Sequence, residues 1–89
     1  MENDQRFADF VILQAQNAGM FLGQVPNPIS GQLEVNLKAA RSVLDSLEML
    51  ENKTTGNRTP EEDKLLQTAL LNLRSLQAET EERGESPGT

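Results

Sequence analysis

The run Lys53-Thr54-Thr55-Gly56-Asn57-Arg58-Thr59-Pro60-Glu61-Glu62 carries the end of one helix and the start of another within ten residues. Gly56 can take the left-handed backbone that closes a helix, a conformation that a Cβ disfavours in other residues. Thr59 then offers an N-cap hydroxyl, and Pro60 suits the first helical position, where no amide hydrogen is needed. Glu62, three residues after the cap, completes a capping box. A link this short returns the chain on itself, so the helices on either side are expected to form an antiparallel hairpin.

Upstream, Asn36 is a good N-cap for a helix predicted over Leu37 to about Lys53. Leu37, Ala40, Val43, Leu44, Leu47 and Leu50 share one arc, with Lys38, Arg41, Asp45, Glu48 and Asn52 opposite, the pattern of a helix with one wet face. Downstream, Leu65, Leu66, Ala69, Leu70, Leu73 and Leu76 line one arc, and Lys64, Gln67 and Arg74 lie away from it. After Ala78 nothing apolar remains to bury. Residues 79–89 are therefore expected to be a disordered acidic tail, removable without effect, behind a single helical domain over 1–78.

A first helix is predicted from about Arg6 to Leu22, stopped by Gly23. Phe7, Phe10, Val11, Ala18, Phe21 and Leu22 fall on one side, Ile12, Leu13 and Met20 point elsewhere, and Ala8, Ala15 and Gly19 form a stripe of small residues. The apolar part, Phe10 to Gly23, is fourteen residues long and includes Gln14, Gln16 and Asn17, whereas a membrane span needs about twenty apolar residues. The segment Gln24-Val25-Pro26-Asn27-Pro28-Ile29-Ser30-Gly31-Gln32 cannot stay helical, because its prolines push the residues before them to extended conformations. It reads as a spacer loop with Val25, Ile29 and Leu33 tucked against the core. The fold class is thus all-α: three helices, the last two a hairpin, the first joined by a proline-bearing loop.

Composition removes whole classes of chemistry. The 89 residues contain no His, Cys, Trp or Tyr, so thiolate and imidazole metal sites and Ser-His or Cys-His nucleophiles are excluded. Asp45 and Glu48 could meet on one face of helix 2, but a lone exposed pair binds magnesium weakly. Glu61, Glu62 and Asp63 match the positive end of a helix dipole. No phosphate-cradling glycine loop occurs. An enzyme is not expected, nor a cofactor or a metal. Fourteen acidic and eight basic side chains give a net charge of -6, which repels nucleic acid and anionic membranes alike. The polar, acidic start Met1-Glu2-Asn3-Asp4-Gln5-Arg6 is unlike a secretory signal, and the absence of cysteine suits a reducing compartment, so a cytoplasmic location is expected. Asn52-Lys53-Thr54 and Asn57-Arg58-Thr59 match glycosylation sequons but read as helix-end chemistry.

Several of these stretches recur together: Leu22-Gly23-Gln24-Val25-Pro26-Asn27-Pro28 with Gly31, Val35-Asn36-Leu37 and Ala40, Leu47-Glu48-Met49-Leu50, Lys53-Thr54-Thr55-Gly56-Asn57 and Thr59-Pro60-Glu61-Glu62. In this order they resemble a bacterial family known only as a domain of unknown function, number 1844. The resemblance spans about Phe7 to Leu76 and implies a small, mainly helical, cytoplasmic bacterial protein. It offers no catalytic residues to carry over. The chain departs from the pattern after Leu76, where Gln77 and Ala78 stand in place of an aromatic-bearing end.

Helix 1 carries more apolar surface than one core contact needs. Either both its faces pack within the chain, or one face packs on the hairpin and the other on a second subunit across a two-fold axis. The balance of energies favours the second. Burial of roughly 9,000 Å², a little over half of it apolar, is worth on the order of 130 kcal/mol, and ordering at about 1.5 kcal/mol per residue costs nearly the same. The expected product is a non-enzymatic helical interaction module that forms a homodimer or other homo-oligomer. Ile12, Leu13, Ala15, Gly19 and Met20 are expected at the subunit contact, and another protein partner is compatible with such a surface. A nucleic-acid-associated accessory factor is the competing reading, disfavoured by the charge.

Overall fold

The computed structural model describes residues 2–84. It contains α1 (Gln5–Phe21), α2 (Leu37–Lys53) and α3 (Pro60–Glu82), and each helix packs against the other two. Val11, Ala18 and Leu22 from α1 and its end, Leu37, Ala40, Leu44 and Leu47 from α2, and Leu66, Leu70 and Leu73 from α3 form one buried core. The amphipathic arcs read from the sequence of α2 and α3 are the ones that turn inward. Across the hairpin, Gln67 donates to Glu51 at 2.7 Å, Arg74 meets Glu48 at 3.0 Å and Arg41 meets Glu81 at 3.9 Å. Numbers rise on one helix as they fall on the other, so α2 and α3 are antiparallel. These pairs are largely exposed and contribute little each.

The link between α2 and α3 is held by its own polar groups. Thr54 caps α2 by donating its hydroxyl to the Leu50 carbonyl at 2.7 Å, and Thr59 caps α3, so the threonines of both sequons serve helix ends. Arg58 joins them: Nη1 donates to the Glu51 carbonyl at 2.7 Å and to the Thr54 hydroxyl at 2.9 Å, and Nη2 meets Asp63 at 2.9 Å. One guanidinium therefore closes the negative end of α2 and binds the first turn of α3.

Glu62 ties the third helix in. One of its carboxylate oxygens accepts from the Thr59 amide at 2.9 Å, as a capping box requires, and the other accepts from the Asp4 amide at 2.6 Å. Thr59, almost fully buried, accepts from the Glu62 amide at 3.1 Å and donates its hydroxyl to Asn3. The starts of α1 and α3 lie side by side, and α1 runs parallel to α3. At the other end of α1, the Asn36 amide donates to the Phe21 carbonyl at 2.7 Å, and Leu22 and Val35 form an antiparallel bridge.

Three expectations need correction. Helix 3 continues beyond Ala78 to Glu82, with Gln77 and Thr80 buried. Thr80 satisfies its hydroxyl on the Leu76 carbonyl at 2.7 Å and Gln77 donates to Glu81 at 3.0 Å, so polar side chains extend the ordered helix with no apolar residue. Gly84, at φ 77°, supplies the stop. Residues 79–84 thus belong to the folded domain, and the rest of the expected tail, 85–89, lies outside the described residues. Second, Val25, Ile29 and Leu33 are exposed rather than tucked in: the adjacent ends at Leu22 and Val35 close the loop at its base and send its middle outward. Third, Phe10, placed by the wheel on the core side, is 41% exposed at the edge of that face.

Two outcomes follow from the joint at the start of α3. Thr59→Ala removes an acceptor from a buried amide and the hydroxyl that reaches Asn3, and should lower stability by about 1–2 kcal/mol in chemical denaturation. The amides of Asp4 and then Thr59 hold the Glu62 carboxyl below the usual glutamate range, against the opposing effects of burial and of the Asp4 charge. Its contribution is complete above the ordinary glutamate pKa of about 4.3 and is lost as the pH falls through the lower folded value. Glu62→Gln should therefore be less stable than the parent at neutral pH and flatter in its loss of melting temperature below about pH 4; parallel acid profiles would contradict this.

Candidate functional site

Six of the eight large apolar residues exposed among the described residues are Phe10, Ile12, Leu13, Val25, Ile29 and Leu33. All six come from the 24-residue stretch Phe10–Leu33, which holds no charged side chain. The other two, Met49 and Leu71, stand alone on the charged helices. Apolar exposure and absence of charge therefore coincide on one segment of the chain, α1 and the loop after it.

Along the flank of α1 that turns toward α3, Val11, Ile12, Ala15 and Gly19 line a groove closed on the far side by Leu65 and Ala69. Val25, at the start of the loop, stands at its edge, and its volume is about 360 Å³. The groove exists because its positions are small. A Cβ added at Gly19 would meet nothing within 4 Å, so the helices leave space there. The groove's lining is almost wholly aliphatic, with Gln16 the one polar side chain.

The five residues expected at a subunit contact divide between two places. Ile12, Ala15 and Gly19 line the groove, with Ile12 43% exposed at its rim. Leu13 and Met20 lie further round, on the outward face, since successive helical residues are turned by about 100°. Leu13 is 52% exposed, whereas Met20 is half-buried. Sequence reasoning did not place Ile29, Val25 and Leu33 on this surface. The signal for them was the length of the charge-free run, which continues beyond α1 to the end of the loop.

The loop is built to keep its shape. The Asn27 side chain accepts from the Ile29 amide at 2.8 Å, the Asn27 amide donates to the Gln32 carbonyl at 2.8 Å, and the Gly31 amide donates to the Asn27 carbonyl at 2.7 Å. The Ser30 hydroxyl donates to Glu34. Ile29 is 95% exposed.

The stretch Phe10–Leu33 carries no charged side chain of its own, and the Glu34 carboxylate reaches the loop at Ser30. Glu48, half of the carboxylate pair weighed from the sequence, is engaged by Arg74 at 3.0 Å. Among the described residues no cluster of three or more metal-ligating side chains occurs, and no helix is long and apolar enough to cross a membrane.

The model of the family described as Domain of unknown function (DUF1844) matches residues 4–79, nearly the whole of the three-helix unit and all of this surface. The chain belongs to this family. Neither the curated proteins nor the solved structures contain a significant match. In this DUF1844 chain the shared segment includes α1, the loop and the capping box together, so the polar joint and the apolar surface fall within one matched unit.

The loop base is set by Gly23. Its φ is 76°, and a Cβ there would lie 3.1 Å from Val35 Cγ2. Gly23→Ala combines a left-handed backbone with that contact and should cost about 1–2 kcal/mol, read as a lower denaturation midpoint. An unchanged midpoint would mean that the loop base relaxes freely.

Proposed function

We propose that this protein is a non-enzymatic helical interaction module that associates with a second copy of itself through the outward side of α1 and the loop that follows it. The observation that carries the proposal is the coincidence of exposed apolar side chains with the one charge-free stretch of an acidic chain. Two copies, each of net charge -6, repel at any distance within a Debye length. The stretch from Phe10 to Leu33 contributes no carboxylate of its own to such a contact, with Asp9 and Glu34 flanking it. Burial of aliphatic and aromatic area there, at about 25 cal/mol per Å², supplies the attraction. A two-fold arrangement uses the same patch on both copies and needs no second surface. A partner of another sequence would meet the same uncharged, apolar patch. Association with nucleic acid is disfavoured, because the exposed patch lacks the lysines and arginines that displace counterions.

Light scattering coupled to size exclusion at tens of micromolar tests the reading, with a mass near twice 9.8 kDa expected. Leu13 is half exposed in the single chain, so Leu13→Glu should change the stability of the isolated fold by no more than about 0.5 kcal/mol, while placing a carboxylate without a partner at the contact. The variant should run as a monomer with the helical content of the parent. A parent of 9.8 kDa, or a Leu13→Glu protein of undiminished mass, would sink the proposal.

A further inference from the structure

The first turn of α1 is held to α3 by polar bonds more than by packing. Gln5, Arg6 and Asp9 are exposed, Phe7 and Ala8 are only half-buried, and the first fully buried side chain of the helix is Val11. Between this turn and the start of α3 lies a hollow of about 160 Å³, with Asn3, Asp4 and Ala8 on one side and Glu61, Glu62 and Leu65 on the other. The bonds that cross there are the Asp4 amide on Glu62 at 2.6 Å and the Thr59 hydroxyl on Asn3. Leu65 lines both this hollow and the α1–α3 groove, so the two spaces follow one another along the same seam.

The bond to Asp4 depends on a single charge. Glu62 is buried, and its two carboxylate oxygens face the N–H groups of Thr59 and Asp4. An ionised carboxylate accepts from both, whereas a neutral carboxyl carries a hydroxyl on one oxygen, and neither amide can accept from it. One N–H is then left with a poor partner. The Thr59 amide lies three residues away within a capping box whose return bond, from the Glu62 amide to the Thr59 hydroxyl, does not involve the carboxyl. The Asp4 amide is brought from 58 residues away on a turn with little buried apolar surface, and such segments open first. We infer that Glu62 is a proton-operated latch on the start of α1: ionised, it holds the Asp4 amide and shuts the seam at this end; neutral, it lets the first turn of α1 separate from α3 while the capping box, the hairpin and the core from Val11 onward stay folded. Opening uncovers Ala8 and Leu65 and extends the groove toward the end of the bundle.

The surrounding charges set where the latch works. From the start of α1, the Asp4 carboxylate opposes ionisation of Glu62 and is itself tied to Arg6 at 2.8 Å. Glu61 borders the same hollow from α3, and at the link Arg58 and Asp63 pair with each other at 2.9 Å. The lining of the hollow comes from α1, the residues just before it and α3. The two amides outweigh the Asp4 charge and the burial, so the latch is shut above the ordinary glutamate pKa of about 4.3 and opens as the pH falls through the lower folded value.

Amide hydrogen exchange read residue by residue by NMR, from about pH 6 to about pH 2, separates local opening from global unfolding. Relative to their intrinsic rates, the amides of Asp4, Phe7 and Ala8 should exchange about tenfold faster once Glu62 is protonated, while those of Thr59, Leu44 and Leu70 keep their protection. Glu62→Gln presents one acceptor and one donor, as the neutral carboxyl does, and should show the fast exchange at neutral pH with no further change on acidification. Arg6, through its side chain and then its amide, also holds the Asp4 carboxyl below the usual aspartate range, so Asp4 titrates in the same region; Asp4→Asn keeps an acceptor at the α1 cap without a titrating group and should still open on acidification, at a pH no higher than the parent's. Should Glu62→Gln not fold, the parent and Asp4→Asn titrations decide by themselves. Loss of protection at Asp4, Leu44 and Leu70 in one transition, an Asp4→Asn protein that no longer opens, or a folded Glu62→Gln protein with Phe7 and Ala8 protected as in the parent would each overturn the latch.

Discussion

The carboxylate of Glu62 decides how the first helix meets the other two. One oxygen belongs to the capping box of α3 and the other holds the Asp4 amide at 2.6 Å, at the start of α1. Helix 1 needs such a pin. It has apolar side chains on almost every side, Phe10, Ile12 and Leu13 among them, so burial of hydrophobic area does not by itself select one rotation about its axis. The bond from the Asp4 amide to the buried Glu62 carboxylate adds a positional constraint, fixing where α1 starts against α3. At the far end the Asn36 amide on the Phe21 carbonyl and the Leu22–Val35 bridge do the same for the exit of the helix. Two polar fixings therefore set where α1 enters and leaves the bundle, and Val11, Ala18 and Leu22 mark the face spent on the core.

The parts of the fold legible in the sequence are those in which local chemistry and hydrophobic period agree. Thr59, Pro60 and Glu62 announce a helix start that the following leucines confirm at a 3.6-residue period, and Asn36 does the same for α2. The close of α3 was illegible for the converse reason. Gln77 and Thr80 are polar by composition yet buried, because each meets its hydrogen-bonding needs inside the helix, and a rule that equates polarity with exposure ends the helix early. The loop failed differently. Its apolar residues have no period to assign them a side, and the outward course of the chain is set by contacts at the base, between residues thirteen apart. The second role of Glu62 was hidden too, since a capping box shows which amide its own helix uses and says nothing of an amide 58 residues away.

The candidate surface was half legible. The excess of apolar residues on helix 1 pointed to Ile12, Leu13, Ala15, Gly19 and Met20, but only the packed structure separates groove from outward face. Ala15 and Gly19 are small positions along the seam with α3, and there small size produces space rather than close approach. The difference lies in the opposing residue. Ala69 is small as well, so at its level α3 adds little to fill the volume, while Leu65 lines it one turn earlier.

Charge placement gives this division its sense. Lysine, arginine, aspartate and glutamate are carried almost wholly by the hairpin and by the first turns of α1 and α3, while 24 successive residues from Phe10 carry none. In a monomer built only for solubility, exposed positions such as Leu13 and Ile29 would be inexpensive places for charge, since side chains in water lose little by ionising. Their neutrality shows no gain in stability within the chain: Ile29 touches too little to matter there and Leu13 is half in water. What neutral, branched side chains on a braced loop and a pinned helix do provide is a surface whose favourable energy is realised only against other apolar surface. The polar pin at Glu62 is thus connected to the function proposed, because it holds the start of α1 beside α3, along the seam where Ile12 and Gly19 line the groove.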